Sequence, residues 1–399
     1  MKKFCLLLIL SVAAFFPRTQ AQTIEAHLSD SSFVQLLTCG PGEEFYTTWG
    51  HSAIRICDST LGIDLVYNYG CFDFDTKHFY LKFCKGRLDY FLSRSNYERF
   101  ISSYAYEGRQ IWAQLLDLTT QEKNNLFVLL ETNYLPQYRY YKYDFFRDNC
   151  ATRIRDIVNN SLIHRTLFVE ENVQPAVSYR NLLYAPTESY LLWWRLGVDI
   201  VLGARCDKEC TNLECMFSPI EMMNQVDTTC LKTKNEQGEW VSTGKLLMKE
   251  KVELLPNNRD AFHLSVNPTL TFWVLFLLVL SLTGIAWVKG LRLRWLDIIL
   301  FLLPALISVV IIFLWFFSDH YSTKWNWNLL WANPLFFYFL IRLRRSHRVV
   351  LYVGMLCLLV VMTGFWWMPQ QFNAAVMPIC LTLFVRLLDK FRPLPEPTR

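Results

Sequence analysis

The sequence is poor in histidine and contains no internal repeat and no low-complexity tract. Only 7 histidines accompany 12 cysteines in the 399 residues. None of them lies close in sequence to the group Cys206, Cys210, Cys215 and Cys230, and the spacing of this group matches no common zinc-ligand pattern. For these cysteines we therefore expect disulfides or simple burial rather than a metal site, and we expect no cofactor.

Acidic residues are scarce in the last third of the chain. Residues 268–399 contain 12 Lys and Arg against 4 Asp and Glu, a net charge of +8. Residues 22–267 contain 25 basic and 31 acidic side chains, a net charge of −6. The basic excess is thus confined to the apolar end of the chain, so it does not indicate a nucleic-acid-binding surface.

Five apolar stretches follow Pro268, at about 270–288, 295–317, 325–341, 349–366 and 372–388. Each is near the ~20 residues that a membrane-spanning helix needs, and Asn333-Pro334 makes the third the weakest. Basic residues follow the first, third and fifth stretches, whereas the alternate loops hold only Lys324. The positive-inside rule then places the residues before 268 outside the cytoplasm. We predict a multi-pass membrane domain, residues 268–399, in the inner (cytoplasmic) membrane.

The N-terminus agrees with this orientation. Lys2 and Lys3 precede an apolar run over residues 4–16, and Thr19-Gln20-Ala21 forms a cleavage-site pattern. Residues 1–21 are therefore predicted to be a signal peptide, with an uncleaved anchor as the alternative. Residues 22–230 would form a periplasmic domain with an extension, and residues 231–267 a linker or strand pair. Within the extension, residues 190–201 are either a core helix or a segment on the bilayer surface.

The first half of the periplasmic domain is predicted to be α+β. Alternating apolar residues indicate strands at 33–38, 52–57, 63–68 and 109–115, with a hairpin turn at 58–62. Capping residues indicate helices at about 120–133 and 150–159.

Cys150 is the candidate nucleophile. It follows Asp148-Asn149 at the predicted start of a helix. The positive end of the helix dipole and the unpaired N–H groups there favour a thiolate. The same N–H groups can form an oxyanion hole. The alternative is that Cys150 is half of a disulfide.

His51 is the candidate general base. It lies in the motif TWGHSA, where small neighbours permit close approach of a substrate. If Cys57 pairs with about Asp64 across the hairpin, His51 faces residues 68–70 of the returning strand. Asn68 can then accept a hydrogen bond from the imidazole, and Tyr67 is the next candidate. A structural histidine is the alternative.

Four segments resemble one known family. They are TCGPGEEFYTTWGHSA (38–53), YNYGCFDF (67–74), DFFRDNCATRIR (144–155) and MFSPIEM (216–222). In combination they resemble the Lnb N-terminal periplasmic domain family, which is associated with lipoprotein N-acyltransferases of Bacteroidota. The resemblance covers about residues 30–230 and implies a permuted papain-like (NlpC-type) fold. In such folds His precedes Cys along the chain, as His51 precedes Cys150 here.

The resemblance also implies a reaction. Cys150 would attack a membrane phospholipid, and the acyl chain would pass through a thioester to the N-terminal amine of a diacylated lipoprotein. His51 would be the base, and Asn68 would stand where relatives often have His. A neutral amide also orients an imidazole in Cys-His-Asn enzymes. The expected partners are the phospholipid, the lipoprotein and the bilayer. The alternatives are a cysteine peptidase or amidase acting on peptidoglycan, or a non-catalytic membrane module with a blocked Cys150.

Overall fold

The computed structural model describes residues 27–169, 177–187, 191–259, 266–342 and 347–392, so the predicted signal peptide lies outside the described residues. The strands are β1 Phe33–Cys39, β2 His51–Asp58, β3 Ile63–Cys71, β4 Asp89–Asn96, β5 Ile111–Leu116, β6 Tyr140–Lys142, β7 Arg165–Phe168, β8 Cys230–Lys234, β9 Trp240–Leu246 and β10 Met248–Leu255. The α-helices are α1 Phe79–Cys84, α2 Tyr97–Tyr106, α3 Thr120–Tyr134, α4 Cys150–Ser161, α5 Tyr179–Tyr184, α6 Leu192–Val201, α7 Asn212–Cys215, α8 Pro219–Thr228, α9 Pro268–Val288, α10 Arg294–Phe316, α11 Leu335–Ile341, α12 Arg348–Gly364 and α13 Val376–Asp389. Short 3₁₀ helices lie at Phe45–Thr47, Ala185–Thr187, Ala204–Asp207 and Trp327–Leu330.

Seven antiparallel strands form the main sheet, in the order β10-β5-β1-β2-β3-β4-β6. Helix α4 packs on β2 and β3, and buried residues such as Ile154 and Ile157 join it to the core. Helix α2 packs on β3 and β4, and Phe100 joins it to a second buried cluster of the sheet. The predicted α+β class is confirmed, and each strand and helix predicted for the first half is present. The permuted papain-like arrangement stays a prediction.

The segment 231–267 is more than a linker. Strands β8 and β9 form a second, three-stranded sheet with β7, which fits the predicted strand pair. Strand β10 instead pairs with β5 at the edge of the main sheet. The main sheet therefore continues past residue 230, and β10 is its edge strand.

The C-terminal region is helical and apolar. The first two predicted spans coincide with α9 and α10, the two described helices long and apolar enough to cross a membrane. The third is interrupted at Asn333-Pro334, where a 3₁₀ turn gives way to the seven-residue α11. At one end of the bundle Arg386, which is fully buried, bonds Asp297 of α10 and Thr283 of α9 at 2.8 Å each. These bonds join α13 to both long helices.

A buried polar network docks the periplasmic domain on the membrane domain. In α6, the Asp199 carboxylate accepts hydrogen bonds from Arg180 at 3.0 Å and from Asn373 at 2.8 Å. The Asp199 backbone carbonyl accepts another from Asn328 at 2.8 Å. Just beyond α6, a Cβ at Gly203 would lie only 1.9 Å from the Lys324 carbonyl oxygen. The two domains therefore meet in a close, directional contact.

Helix α6 has features of both structures considered for residues 190–201, a core helix and a segment on the bilayer surface. Leu196 and Asp199 are buried, whereas Trp193 and Trp194 are about half exposed. The Trp193 ring lies 6.0 Å from Phe272 at the start of α9. One side of the helix is thus a docking surface, and Trp193 lies beside the first membrane helix.

Candidate functional site

Asn149 fixes the start of the helix that carries Cys150. Its side-chain oxygen accepts hydrogen bonds from the N–H groups of Ala151 and Thr152, both at 2.9 Å. Its own N–H donates to the Thr152 hydroxyl at 2.8 Å, which completes a capping box. Cys150 is therefore the first residue of α4, as the sequence predicted.

The amide nitrogen of Asn149 faces the other way. It donates to the carbonyl oxygens of Phe145 and Phe217, both at 2.8 Å. Phe217 belongs to the motif MFSPIEM, in which Ser218 caps α8. The buried Asn149 side chain thus connects the start of α4 to a segment 68 residues further along the chain. Next to it, Asp148 forms a two-bond ion pair with Arg153 at 2.5 and 2.7 Å.

The hairpin brings His51 and Asn68 together. Cys57 pairs with Asp64, as expected from the sequence, and the returning strand places Asn68 Oδ1 3.3 Å from His51 Nε2. A proton on Nε2 that is donated to Asn68 leaves Nδ1 with the lone pair that a base needs. Tyr67, the other candidate, donates instead to Glu131 at 2.5 Å.

Cys150 lies against the strand that begins with His51. It is 7% exposed, and the backbone N–H groups of Ser52, Ala151 and Cys150 itself are within hydrogen-bonding reach of its sulfur. The Ala151 N–H also bonds Asn149, so the N–H groups of Cys150 and Ser52 are the better oxyanion donors. The structure therefore assembles Cys150, His51 and Asn68 around the start of β2.

Burial favours the neutral forms of Cys150 and His51. It raises the pKa of the Cys150 thiol to about 11, although the backbone N–H groups oppose this shift. It also lowers the pKa of His51 to about 4, with a further decrease from the Arg109 guanidinium and a partial increase from the Asn68 hydrogen bond. The thiolate expected at the helix N-terminus is therefore wrong for the closed site, because desolvation outweighs the helix terminus.

Gly70 leaves the space in front of Cys150 open. Its φ is +86°, and a Cβ there would lie 3.6 Å from Cys150 Cβ and 3.4 Å from the Tyr143 ring. The same Cβ would lie 3.9 Å from the Tyr141 hydroxyl. This hydroxyl is buried and has no hydrogen-bond partner among the described residues. The position of this hydroxyl could not be derived from the sequence, in which Tyr141 is one of several aromatic residues before Cys150 that were expected to surround the site.

The cysteines in the described ranges are all free thiols, Cys150 included. Cys206, Cys210 and Cys215 are buried, and Cys230 is partly exposed. Within the part of the chain that the structure describes, no group of three or more His, Cys, Asp or Glu side chains is placed to hold a metal ion. The free thiol of Cys150 is the state that a nucleophile requires.

These features define a membrane protein whose N-terminal α+β domain holds a buried Cys150 thiol beside the strand that carries the His51–Asn68 contact. Residues 18–185 match the family model of the Lnb N-terminal periplasmic domain, and residues 258–392 match that of the Lnb transmembrane domain. The chain belongs to the Lnb family, and the resemblance found in the sequence is confirmed. Comparisons with curated proteins and with solved structures give no match.

Proposed function

We propose that the protein is a lipoprotein N-acyltransferase that uses Cys150 as its nucleophile and His51 as its base. The observation that carries this proposal is the free, buried thiol of Cys150, which lies beside the N–H group of Ser52. Ser52 follows His51 in β2, and the His51 ring contacts Asn68. Family membership supports the reaction class. The donor would be a membrane phospholipid and the acceptor the N-terminal amine of a diacylated lipoprotein.

In the first half-reaction, the Cys150 sulfur attacks the ester carbonyl while its proton passes to His51 Nδ1. The carbon–oxygen bond to the glycerol breaks, and His51 returns the proton to the leaving alkoxide. The products are a lysophospholipid and an acyl thioester on Cys150. The Cys150 and Ser52 N–H groups and the Tyr141 hydroxyl would stabilise the oxyanion.

In the second half-reaction, the lipoprotein amine attacks the thioester. His51 takes a proton from the amine, and the carbon–sulfur bond breaks to give an amide. The thiol of Cys150 is then restored with that proton. Because a thioester is more reactive towards amines than an oxygen ester, and the amide is stable, this transfer runs downhill. The buried surroundings keep water from the thioester.

The membrane arrangement follows the same proposal. The protein would be a multi-pass protein of the inner membrane, with the catalytic domain facing the periplasm and about five spans. Tags after Lys289, near Arg345 and at Arg399 should then be cytoplasmic, and a tag near Ser322 should be external. An external C-terminus would remove one span, and the third predicted span, which is interrupted at Asn333-Pro334, is the weakest.

The decisive experiment follows the acyl group. Incubated with phospholipid alone, the full-length protein should gain one fatty-acyl mass on Cys150, and neutral hydroxylamine should remove it. A diacylated lipopeptide with a free amine should discharge the thioester and recover the chain as an amide. Cys150→Ser and His51→Ala should abolish the mass shift with insertion intact, whereas Cys230→Ser, which changes a partly exposed thiol in β8, should not.

Other outcomes would reject the proposal in different ways. Cleavage of peptidoglycan fragments without an acyl-enzyme would indicate a peptidase. Release of free fatty acid with the acceptor present would indicate a lipase. Full activity of Cys150→Ser would exclude this nucleophile.

A further inference from the structure

A short apolar helix beside the site has no cover within the described residues. Helix α1 has the sequence FYLKFC, and none of its residues is buried. Tyr80 is 78% exposed, Leu81 52% and Phe83 42%, and the neighbouring Phe74 is 59% exposed. We call these four side chains the apolar ridge. A contiguous apolar surface of this kind marks an interaction site rather than a surface that faces water.

The structure attaches this ridge to the end of a membrane helix. Helix α10 ends at Phe316, and the loop that follows binds the turn after α1. Asp319 N–H donates to the Lys85 carbonyl at 2.9 Å, and the Asp319 carboxylate pairs with Arg87 at 2.6 Å. His320 Nε2 lies 2.8 Å from the Phe83 carbonyl oxygen. The ridge is therefore held at the level where α10 leaves the membrane.

The charges around the ridge fit a lipid surface. Residues 72–87 contain four basic side chains (Lys77, Lys82, Lys85 and Arg87) and two acidic ones (Asp73 and Asp75). Arg87 pairs with Asp319, so the three lysines are the groups that would meet lipid phosphates. An apolar face flanked by Lys and Arg is typical of a helix that lies in the membrane interface, where the basic groups meet lipid phosphates.

The ridge is connected to the nucleophile by a row of aromatic rings. Phe74 lies 5.0 Å from Phe72, and Phe72 lies 5.4 Å from Tyr90. Tyr90 stacks on Tyr143 at 4.4 Å. Tyr143 borders the space at Gly70, in front of Cys150. The row therefore runs from the exposed helix to the reacting sulfur.

We infer that the apolar ridge lies in the outer leaflet of the bilayer and that the row of rings leads a phospholipid acyl chain from there to Cys150. The acyl-chain route rests on the proposed function. The contact with the leaflet rests on the proposed topology but not on the proposed reaction, because it is inferred from exposure, charge and attachment to the membrane helix.

The test uses two leucines of equal exposure. Leu81 lies on the ridge, and Leu61, also 52% exposed, lies in the turn between β2 and β3. That turn is at the end of the hairpin opposite His51, about 23 Å away at ~3.3 Å per residue. A photoreactive benzoylphenylalanine at each position would be irradiated in the full-length protein in vesicles of phosphatidylethanolamine and phosphatidylglycerol. We expect phospholipid adducts at position 81 and none at position 61.

A second measurement follows acylation rates. L81D should lower the rate of acyl-enzyme formation from vesicle phospholipid about tenfold relative to L61D, because a carboxylate disfavours burial in the leaflet. Both variants should react equally with a water-soluble nitrophenyl ester. An equal loss with the soluble ester, or no loss with vesicles, would overturn the inference.

The two proposals fail separately. Photocrosslinking needs no catalysis, so lipid adducts at position 81 without any acyl-enzyme would reject the function and leave the leaflet contact. An acyl-enzyme without lipid adducts at position 81 would reject the ridge alone. Adducts with a second copy of the chain would also reject it, since the cover would then be protein.

Discussion

Asn149→Ala is expected to reduce both the stability of the periplasmic domain and the reactivity of Cys150. The change removes a helix cap, which costs about 1 kcal/mol. It also removes the donor from two carbonyl oxygens, those of Phe145 and Phe217, each at a cost of about 1–3 kcal/mol when buried. The lower values add to about 3 kcal/mol, a large part of the ~5–15 kcal/mol that stabilises a typical domain. For a domain of this size, the melting temperature should fall by about 6–12 °C.

The reactivity should fall because Cys150 and its N–H group begin the helix that Asn149 fixes. A displacement of about 1 Å at a reacting atom can cost about a hundredfold in rate. Both effects can be measured on detergent-solubilised protein, by tryptophan fluorescence during heating and by the acyl-enzyme rate at a temperature where the variant is folded.

Thr119→Ala is the matched control. Thr119 caps α3 through a hydrogen bond from the Glu122 N–H at 3.3 Å, and α3 does not carry the nucleophile. This variant should melt about 2–4 °C lower and keep its acylation rate. Asn149→Asp retains the capping oxygen but turns an acceptor oxygen towards the Phe145 and Phe217 carbonyls in a buried site, so its melting temperature should be no higher than that of Asn149→Ala. Equal melting temperatures and rates for Asn149→Ala and Thr119→Ala would refute the reasoning.

Four other results are expected. Tyr141→Phe should lower the acylation rate about 10²–10³-fold, as for loss of an oxyanion donor, and leave thermal stability unchanged or higher, since its buried hydroxyl has no partner among the described residues; a full acylation rate would exclude the hydroxyl from the site. Asn68→Ala should slow acylation less than His51→Ala in the same assay, because the amide orients the ring and transfers no proton; the reverse order would reject the proposed roles. The acylation rate should be flat from about pH 6 to about pH 9, because His51 is neutral above its pKa of about 4 and Cys150 stays protonated below about 11; a tenfold rise per pH unit would identify free thiolate as the nucleophile. Gly203→Ala should lower the melting temperature more than Gly197→Ala, because a Cβ at Gly203 meets the Lys324 carbonyl and one at Gly197 meets nothing within 4 Å; equal melting temperatures would show that the domain contact is loose.

The sequence predicted best what depends on short chain separations. The β2–β3 register follows from a four-residue turn, and side chains alternate with a period of two, so the proximity of His51 and Asn68 could be derived. The cap at Asn149 is equally local. The first two membrane spans are clear because length and apolarity are properties of a single segment.

What could not be derived depends on distant contacts. Nothing local shows that β10 completes the sheet beside β5, or that the Phe217 carbonyl meets Asn149. The expectation of a lowered pKa for Cys150 is wrong. A helix terminus can be recognised in the sequence, but the burial that raises this pKa arises only from packing. The same holds for Tyr141, whose hydroxyl stands out only when its surroundings are known.

The contact between α6 and the membrane domain sets the height of Cys150 above the membrane domain. Backbone and side-chain groups of the membrane domain contact Gly203 and Asp199 directly. The periplasmic domain is therefore joined to the membrane domain by more than a flexible linker. Under the proposed function, a carbonyl or an amine reacts only if its own anchoring in the bilayer brings it to that height. Acceptor choice would then depend on the distance of the amine from the leaflet surface more than on the protein sequence that follows it.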